Sequence, residues 1–196
     1  MRVTVWRAIV FLLSLIPLSL WVYQGASDQL GVDPGKKLVD LLGLTALWFL
    51  LLTLAMTPLQ VLSGWSGWLG VRRQLGLWTF AYALLHVGGY LVFLLGLDLS
   101  RLLDDLGKRP YIVVGAAAFV GLLALALTSN RRSVRWLGRR WKTLHRTVYF
   151  ILVLALLHML WVVRADLREW LAYAAVASLL MAARHPGCRA TLAARR

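Results

Sequence analysis

Acid is scarce in this chain: Asp and Glu number 8 against 22 Lys and Arg. Cysteine is scarcer still, with Cys188 the sole example. One cysteine forms no intrachain disulfide and no zinc cluster, and the absence of Cys-x-x-Cys-His excludes covalent c-type haem attachment. There is no Gly-x-Gly-x-x-Gly, no Walker loop and no soluble segment long enough to bind NAD or flavin. Any redox chemistry performed here therefore needs a donor and an acceptor outside the chain.

Apolar residues are abundant. Of the 196 residues 60% are hydrophobic, and the mean hydropathy of +0.71 is too high for a domain with a solvated surface. Apolar runs approach the ~20 residues needed to cross hydrocarbon as a helix. The pattern predicts six spans, at 6–23, 41–59, 75–97, 111–128, 144–163 and 167–183, in an all-α integral membrane bundle that forms one domain over 1–196. The last span is the shortest in apolar content, because it opens on Arg168 and Glu169. The first resembles a signal peptide but lacks a small-x-small cleavage site after it, so it is expected to be a retained helix.

The net charge of +14 would suit a nucleic-acid binder, but its distribution does not. With the N-terminus inside, the inner segments hold 15 basic residues and no acid, among them Arg72, Arg73, Arg131, Arg132, Arg139, Arg140 and Arg146. The outer segments hold the other 7 basic residues and all 8 acids. This is the positive-inside pattern, and it predicts both termini in the cytoplasm with contacts to anionic lipid rather than to nucleic acid. Trp65 and Trp68, in the loop 60–74, are read as interfacial anchors. The basic block 131–142 is read as a short amphipathic segment on the membrane surface. No internal repeat is evident.

Against this apolar background stand His86, His145 and His158. Histidine is costly in hydrocarbon unless it has a partner or a task, and it is a common haem ligand. His86 lies eleven residues into the third expected span and His158 fourteen into the fifth. At the helical rise these are depths of about 17 and 21 Å from the inner side. Two imidazoles at matched depth on parallel helices suit axial ligation of one haem. His145 lies about 20 Å below His158 along the same expected helix, at the inner interface. Small residues flank the ligands and leave room for a flat ring or a neighbouring helix: Ala83, Gly89 and Ala155. Arg72 and Arg73 are the best placed of the inner arginines to pair with haem propionates. His185, before Pro186, reads as a surface residue.

Several stretches together resemble one family. They are Arg72-Arg-Gln-Leu-Gly-Leu-Trp-Thr-Phe-Ala-Tyr-Ala-Leu-Leu-His86, Arg109-Pro-Tyr111, Leu127-Thr-Ser129, Leu137-Gly138 with Trp141, and Leu144-His145 through His158-x-x-Trp161. Gly31-x-Asp-Pro34, Thr45-Ala-Leu47 and Met56-Thr-Pro-Leu59 also fit. They are similar to the haem-binding membrane subunits of the periplasmic protein-methionine-sulfoxide reductase system, the MsrQ family, within the wider ferric-reductase-like transmembrane group. The resemblance implies a six-helix, b-type cytochrome of the bacterial inner membrane. It would feed electrons to a periplasmic molybdopterin enzyme that reduces methionine sulfoxide. His86 and His158 match the outer haem pair. His145 matches an inner ligand whose usual histidine partner is replaced by Arg72, which allows one haem, or a second with unconventional ligation. Quinol or a cytosolic flavin reductase is implied as donor, and FMN is associated with the family although no flavin motif is present here.

The chain is thus expected to be the electron-transfer subunit of an oxidoreductase system, with no substrate site of its own. Two rivals use the same residues differently. One is a ferric or metal reductase on the same scaffold. The other is a haem-free transporter or scaffold with histidine proton relays, which the lack of acid inside the spans disfavours.

Overall fold

The computed structural model describes residues 3–163 and 167–184. His185, Cys188, Asp166 and the terminal arginines lie outside the described residues. Among those described, the fold is entirely helical: α1 Val3–Ala26, α2 Pro34–Ser63, α3 Gly67–Gly89 with a π-helical turn Tyr90–Leu94, α4 Leu99–Lys108, α5 Pro110–Leu127, α6 Arg131–Leu137, α7 Arg139–Arg146, α8 Val148–Val163 and α9 Leu167–Arg184. Five stretches are long and apolar enough to cross a membrane: Val3–Ala26, Pro34–Ser63, Gly67–Leu94, Pro110–Leu127 and Arg139–Val163. α9 is not among them, and its 18 residues include Arg168, Glu169 and Arg184.

The helix boundaries follow local chemistry. Asp33 caps α2 by accepting the Lys36 N–H at 3.0 Å, and Pro34 occupies the first turn, where its missing N–H costs nothing. α2 ends at Gly64, in the left-handed region with φ 74°. The mixed-charge stretch between the third and fourth expected spans forms α4, because the Asp98 carboxylate caps it by accepting the Ser100 and Arg101 N–H groups. The basic block forms two short helices: the Asn130 side chain accepts the Ser133 N–H at 2.8 Å to open α6, and Gly138, with φ 51°, separates α6 from α7.

The chain divides into two compact units, residues 1–97 with 178–196, and residues 98–177. In the first, α1, α2 and α3 pack around fully buried Leu54, Val71 and Tyr82. The Tyr82 ring stacks on Phe49 with centroids 5.2 Å apart, and its hydroxyl donates to the Ser14 carbonyl at 2.6 Å. Pro58 interrupts α2, and without an N–H it leaves the Leu54 carbonyl short of its helical donor. Arg184 supplies one: its Nε donates to that carbonyl at 3.0 Å, and its Nη2 also reaches the Thr57 hydroxyl at 3.2 Å. Trp65 and Trp68, read as interfacial anchors, form a cluster with Trp6, with ring centroids 5.3 to 5.7 Å apart.

In the second unit α5 packs on α8 around Ala118, Leu125, Ile151 and Leu152. Trp170 of α9 donates its indole N–H to the Leu156 carbonyl at 2.8 Å. Val120, Leu127, Phe150 and Val153 are exposed. Such a surface is a liability in water and the ordinary condition of a helix in hydrocarbon.

Candidate imidazole sites

His86 lies near the end of α3, just before the π turn. Its Nδ1 lies 2.8 Å from the Val39 carbonyl oxygen on α2. A carbonyl only accepts, so Nδ1 carries the proton and donates. In a neutral imidazole the lone pair then sits on Nε2. His158 of α8 repeats this: its Nδ1 donates to the Tyr111 carbonyl of α5 at 2.7 Å. In both units the ring is half-buried against a neighbouring helix. A fixed Nδ1–H with the lone pair on Nε2 is the arrangement that prepares histidine to bind a metal. The donor set therefore fits haem iron.

Each ring lies against a glycine of the host helix. A Cβ built on Gly43 would come 2.9 Å from Cε1 and Nδ1 of His86. One built on Gly115 would come 2.7 Å from Nδ1 of His158.

His145 is held differently. Its Nε2 is 3.1 Å from the Thr128 hydroxyl, and its ring stacks on Trp141 with centroids 4.0 Å apart. The Thr128 hydroxyl donates to the Ala124 carbonyl at 2.7 Å, which makes His145 Nε2–H the donor to the threonine oxygen. Trp141 donates to the Thr128 carbonyl at 2.9 Å and closes the cluster. His145 thus engages Thr128 through Nε2, where His86 and His158 engage their carbonyls through Nδ1.

Arg72 and Arg73 are helical, within the first two turns of α3, with Arg72 half-buried and Arg73 exposed. They lie about 20 Å along the helix from His86. Gly89 is taken up by helix packing, because a Cβ there would lie 3.1 Å from Val39 Cγ2. Ala83 is buried and Ala155 half-buried, each three residues before its histidine. In the second unit a cavity of about 440 Å³ is lined by Lys108, Arg109, Tyr111 and Trp161, among others. Arg109 Nε pairs with Asp105 at 3.0 Å. These cations, next to the residue whose carbonyl holds His158, were not singled out by charge patterning.

Residues 42–156 match the family described as ferric reductase like transmembrane component. The chain is 43% identical over 177 residues to the protein-methionine-sulfoxide reductase heme-binding subunit MsrQ of Azospira oryzae, which covers 89% of this chain and 76% of that relative. The chain belongs to the MsrQ family. Membership of a transmembrane family and five membrane-length helices make it a multi-pass membrane protein. The segment matched to the wider family includes Gly43, His86, Gly115 and His145. The glycines escaped the reading of the sequence. The signal was present: Ala83-Leu-Leu-His86 recurs as Ala155-Leu-Leu-His158, and Gly43 and Gly115 share the same offset of 72 residues.

Proposed function

We propose that this protein is a b-type cytochrome subunit that carries electrons across the bacterial inner membrane to a periplasmic methionine sulfoxide reductase, with His86 and His158 as haem ligands. The observation that carries this reading is the pair of imidazoles whose Nδ1–H groups are committed to backbone carbonyls. The name of the Azospira oryzae relative supports both the haem and the reductase partner. Haem, when bound, supplies a one-electron couple. The protein fixes the tautomer and orientation of the ligands and surrounds them with apolar side chains of low dielectric.

The remaining features follow the family likeness and the charge pattern. Both termini face the cytoplasm, α9 serves as a sixth span, and the electrons enter from quinol or a cytosolic flavin reductase. The acceptor is a periplasmic molybdopterin enzyme. Ligation by His145 would first require its Nε2 to leave Thr128, so a single haem is the simpler stoichiometry. The inner arginines, Arg72 and Arg73 among them, bind anionic lipid or propionates. FMN comes with the likeness alone, and flavin quantitation of the purified protein tests it.

The deciding experiment is the reduced-minus-oxidised spectrum of the full-length protein in detergent, with haem measured per chain. Wild type is expected to give a b-type spectrum, and His86→Ala and His158→Ala are expected to lose it. Normal haem in either variant overturns the ligand assignment. A second reading, a ferric or metal reductase, draws on the name of the wider family. It predicts that the reduced protein passes electrons to chelated Fe(III) faster than to the periplasmic reductase.

A further inference from the structure

The two histidines share more than a ligand type. Each is the last residue of an Ala-Leu-Leu-His tetrad. Each donates Nδ1–H to a carbonyl 47 residues earlier in the chain. In each case the residue four positions after that carbonyl is a glycine, Gly43 after Val39 and Gly115 after Tyr111. Those are the glycines whose missing Cβ the imidazole occupies.

Helix geometry makes the spacing meaningful. In an α-helix the N–H of residue i bonds to the carbonyl of residue i−4, so the side chain at i stands beside that carbonyl. The carbonyl has a second lone pair for a further donor, but a Cβ at i obstructs the approach. With glycine at i, a flat ring can lie on the helix backbone and deliver its Nδ1–H one turn below. The closest approaches of such a Cβ to the ring, 2.9 Å at Gly43 and 2.7 Å at Gly115, fall below the separations that Cβ atoms tolerate. The obstructing atoms belong to rings already held by a hydrogen bond, so they cannot swing aside and keep it. Ordinary helix packing does not explain the pattern. Gly121 also packs tightly, yet against the flexible Ile151 side chain, and Gly88 faces nothing within 4 Å.

We infer that Gly43 and Gly115 are positioning residues for the two haem-ligand histidines: each opens one helix wall so that the imidazole is fixed by its Nδ1–H and presents its lone pair at Nε2. The inference rests on the ligand assignment proposed above. It adds that the orientation and basicity of each ligand are set from the partner helix, through a residue with no side chain. Loss of such a support weakens metal binding by roughly 10- to 100-fold. It also makes the imidazole less electron-donating, which favours the reduced haem and raises the midpoint potential.

The test compares Gly43→Ala, Gly115→Ala and the control Gly88→Ala in the full-length holoprotein, beside His86→Ala and His158→Ala. Haem retention, the low-spin ferric EPR spectrum and the midpoint potential are read together with helicity and size-exclusion behaviour. The expected result is folded Gly43→Ala and Gly115→Ala proteins that release haem roughly tenfold or more readily, with shifted EPR g-values and a higher potential, while Gly88→Ala matches wild type. Wild-type haem affinity and potential in both glycine variants, with haem lost from the histidine variants, overturns the positioning role and leaves the ligands standing. Haem kept by the histidine variants overturns the ligand assignment and the positioning role together. If the alanine variants do not accumulate, proton NMR of reduced wild-type protein decides. A hydrogen-bonded, downfield Nδ1 proton at both histidines supports the role, and its absence at either overturns it.

Discussion

The α2–α3 and α5–α8 hairpins hold the same imidazole in very different surroundings. α2 buries twelve residues, from Val39 to Pro58, and is covered by α1 as well as α3. α5 buries only Ala118 and Leu125. The stretch between glycine and histidine is equally long in both, yet its structure differs. In the first it forms two long helices joined at Gly64. In the second α5 stops at Leu127, and α6 and α7 intervene before α8. Even so, the two Nδ1-to-carbonyl distances agree within 0.1 Å, at 2.8 and 2.7 Å. The same hydrogen bond and the same glycine contact therefore recur at very different depths of packing of the host helix.

That difference can be probed in order of expected effect. Tyr82 is fully buried at the centre of the first unit, and Tyr82→Ala should cost about 3–5 kcal/mol, as other large-to-small core changes do. Thermal unfolding in detergent would show it, and a melt unchanged from wild type would mean the first unit is less tightly packed than its burial implies. Arg184→Ala removes the donor to the Leu54 carbonyl and should cost about 1.5–3 kcal/mol, the usual range for a hydrogen bond from a charged group. Arg184→Lys should recover only part of this, since an ammonium lacks the planar fork.

Within the second unit, Gly121→Ala presses on Ile151, and overpacking of this kind costs about 1–3 kcal/mol. It should lower the melting temperature and leave the haem potential alone, whereas Gly115→Ala six residues earlier should move the potential. Equal shifts of potential in the two would erase the distinction between packing and positioning. His145→Ala dismantles the cluster with Thr128 and Trp141 and should leave most of the haem in place. Complete haem loss would instead make His145 an essential ligand. The smallest effect concerns Asp98. Hydrogen bonds from the Ser100 side chain and from the Ser100 and Arg101 N–H groups hold its carboxyl below its ordinary value near 3.8. A depressed carboxyl stabilises the fold above that ordinary value, and the contribution is lost as pH falls through the lower, folded value. The start of α4 should fray only in strong acid, and amide exchange at Ser100 and Arg101 would report it.

Much of this architecture was legible in the sequence. Apolar length located the five membrane-length helices, although α2 starts seven residues before the expected span because Asp33 and Pro34 form a cap that hydropathy does not register. Residues 98–110 fall between two expected spans, and the Asp98 cap that makes Leu99–Lys108 the helix α4 is likewise invisible to hydropathy. The rarity of histidine in apolar stretches singled out His86 and His158. The glycines stayed hidden because their role is the absence of an atom beside a residue 43 positions away. Helix packing alone gives an ample reason for glycine in a membrane span. His145 was matched to a ligand by position, and its Thr128 and Trp141 contacts are visible only once α7 is folded against the end of α5.

The bond between Arg184 and the Leu54 carbonyl also has a bearing on biogenesis. α2 leaves the ribosome about 130 residues before Arg184 does. Throughout that interval the carbonyl opposite Pro58 lacks the donor that Arg184 supplies. The second helix is therefore completed only when the last described helix arrives, so a nascent chain stalled before Arg184 carries an open acceptor inside its own α2. Quality-control proteases that recognise incompletely satisfied membrane helices would have that site to distinguish unfinished chains from finished ones.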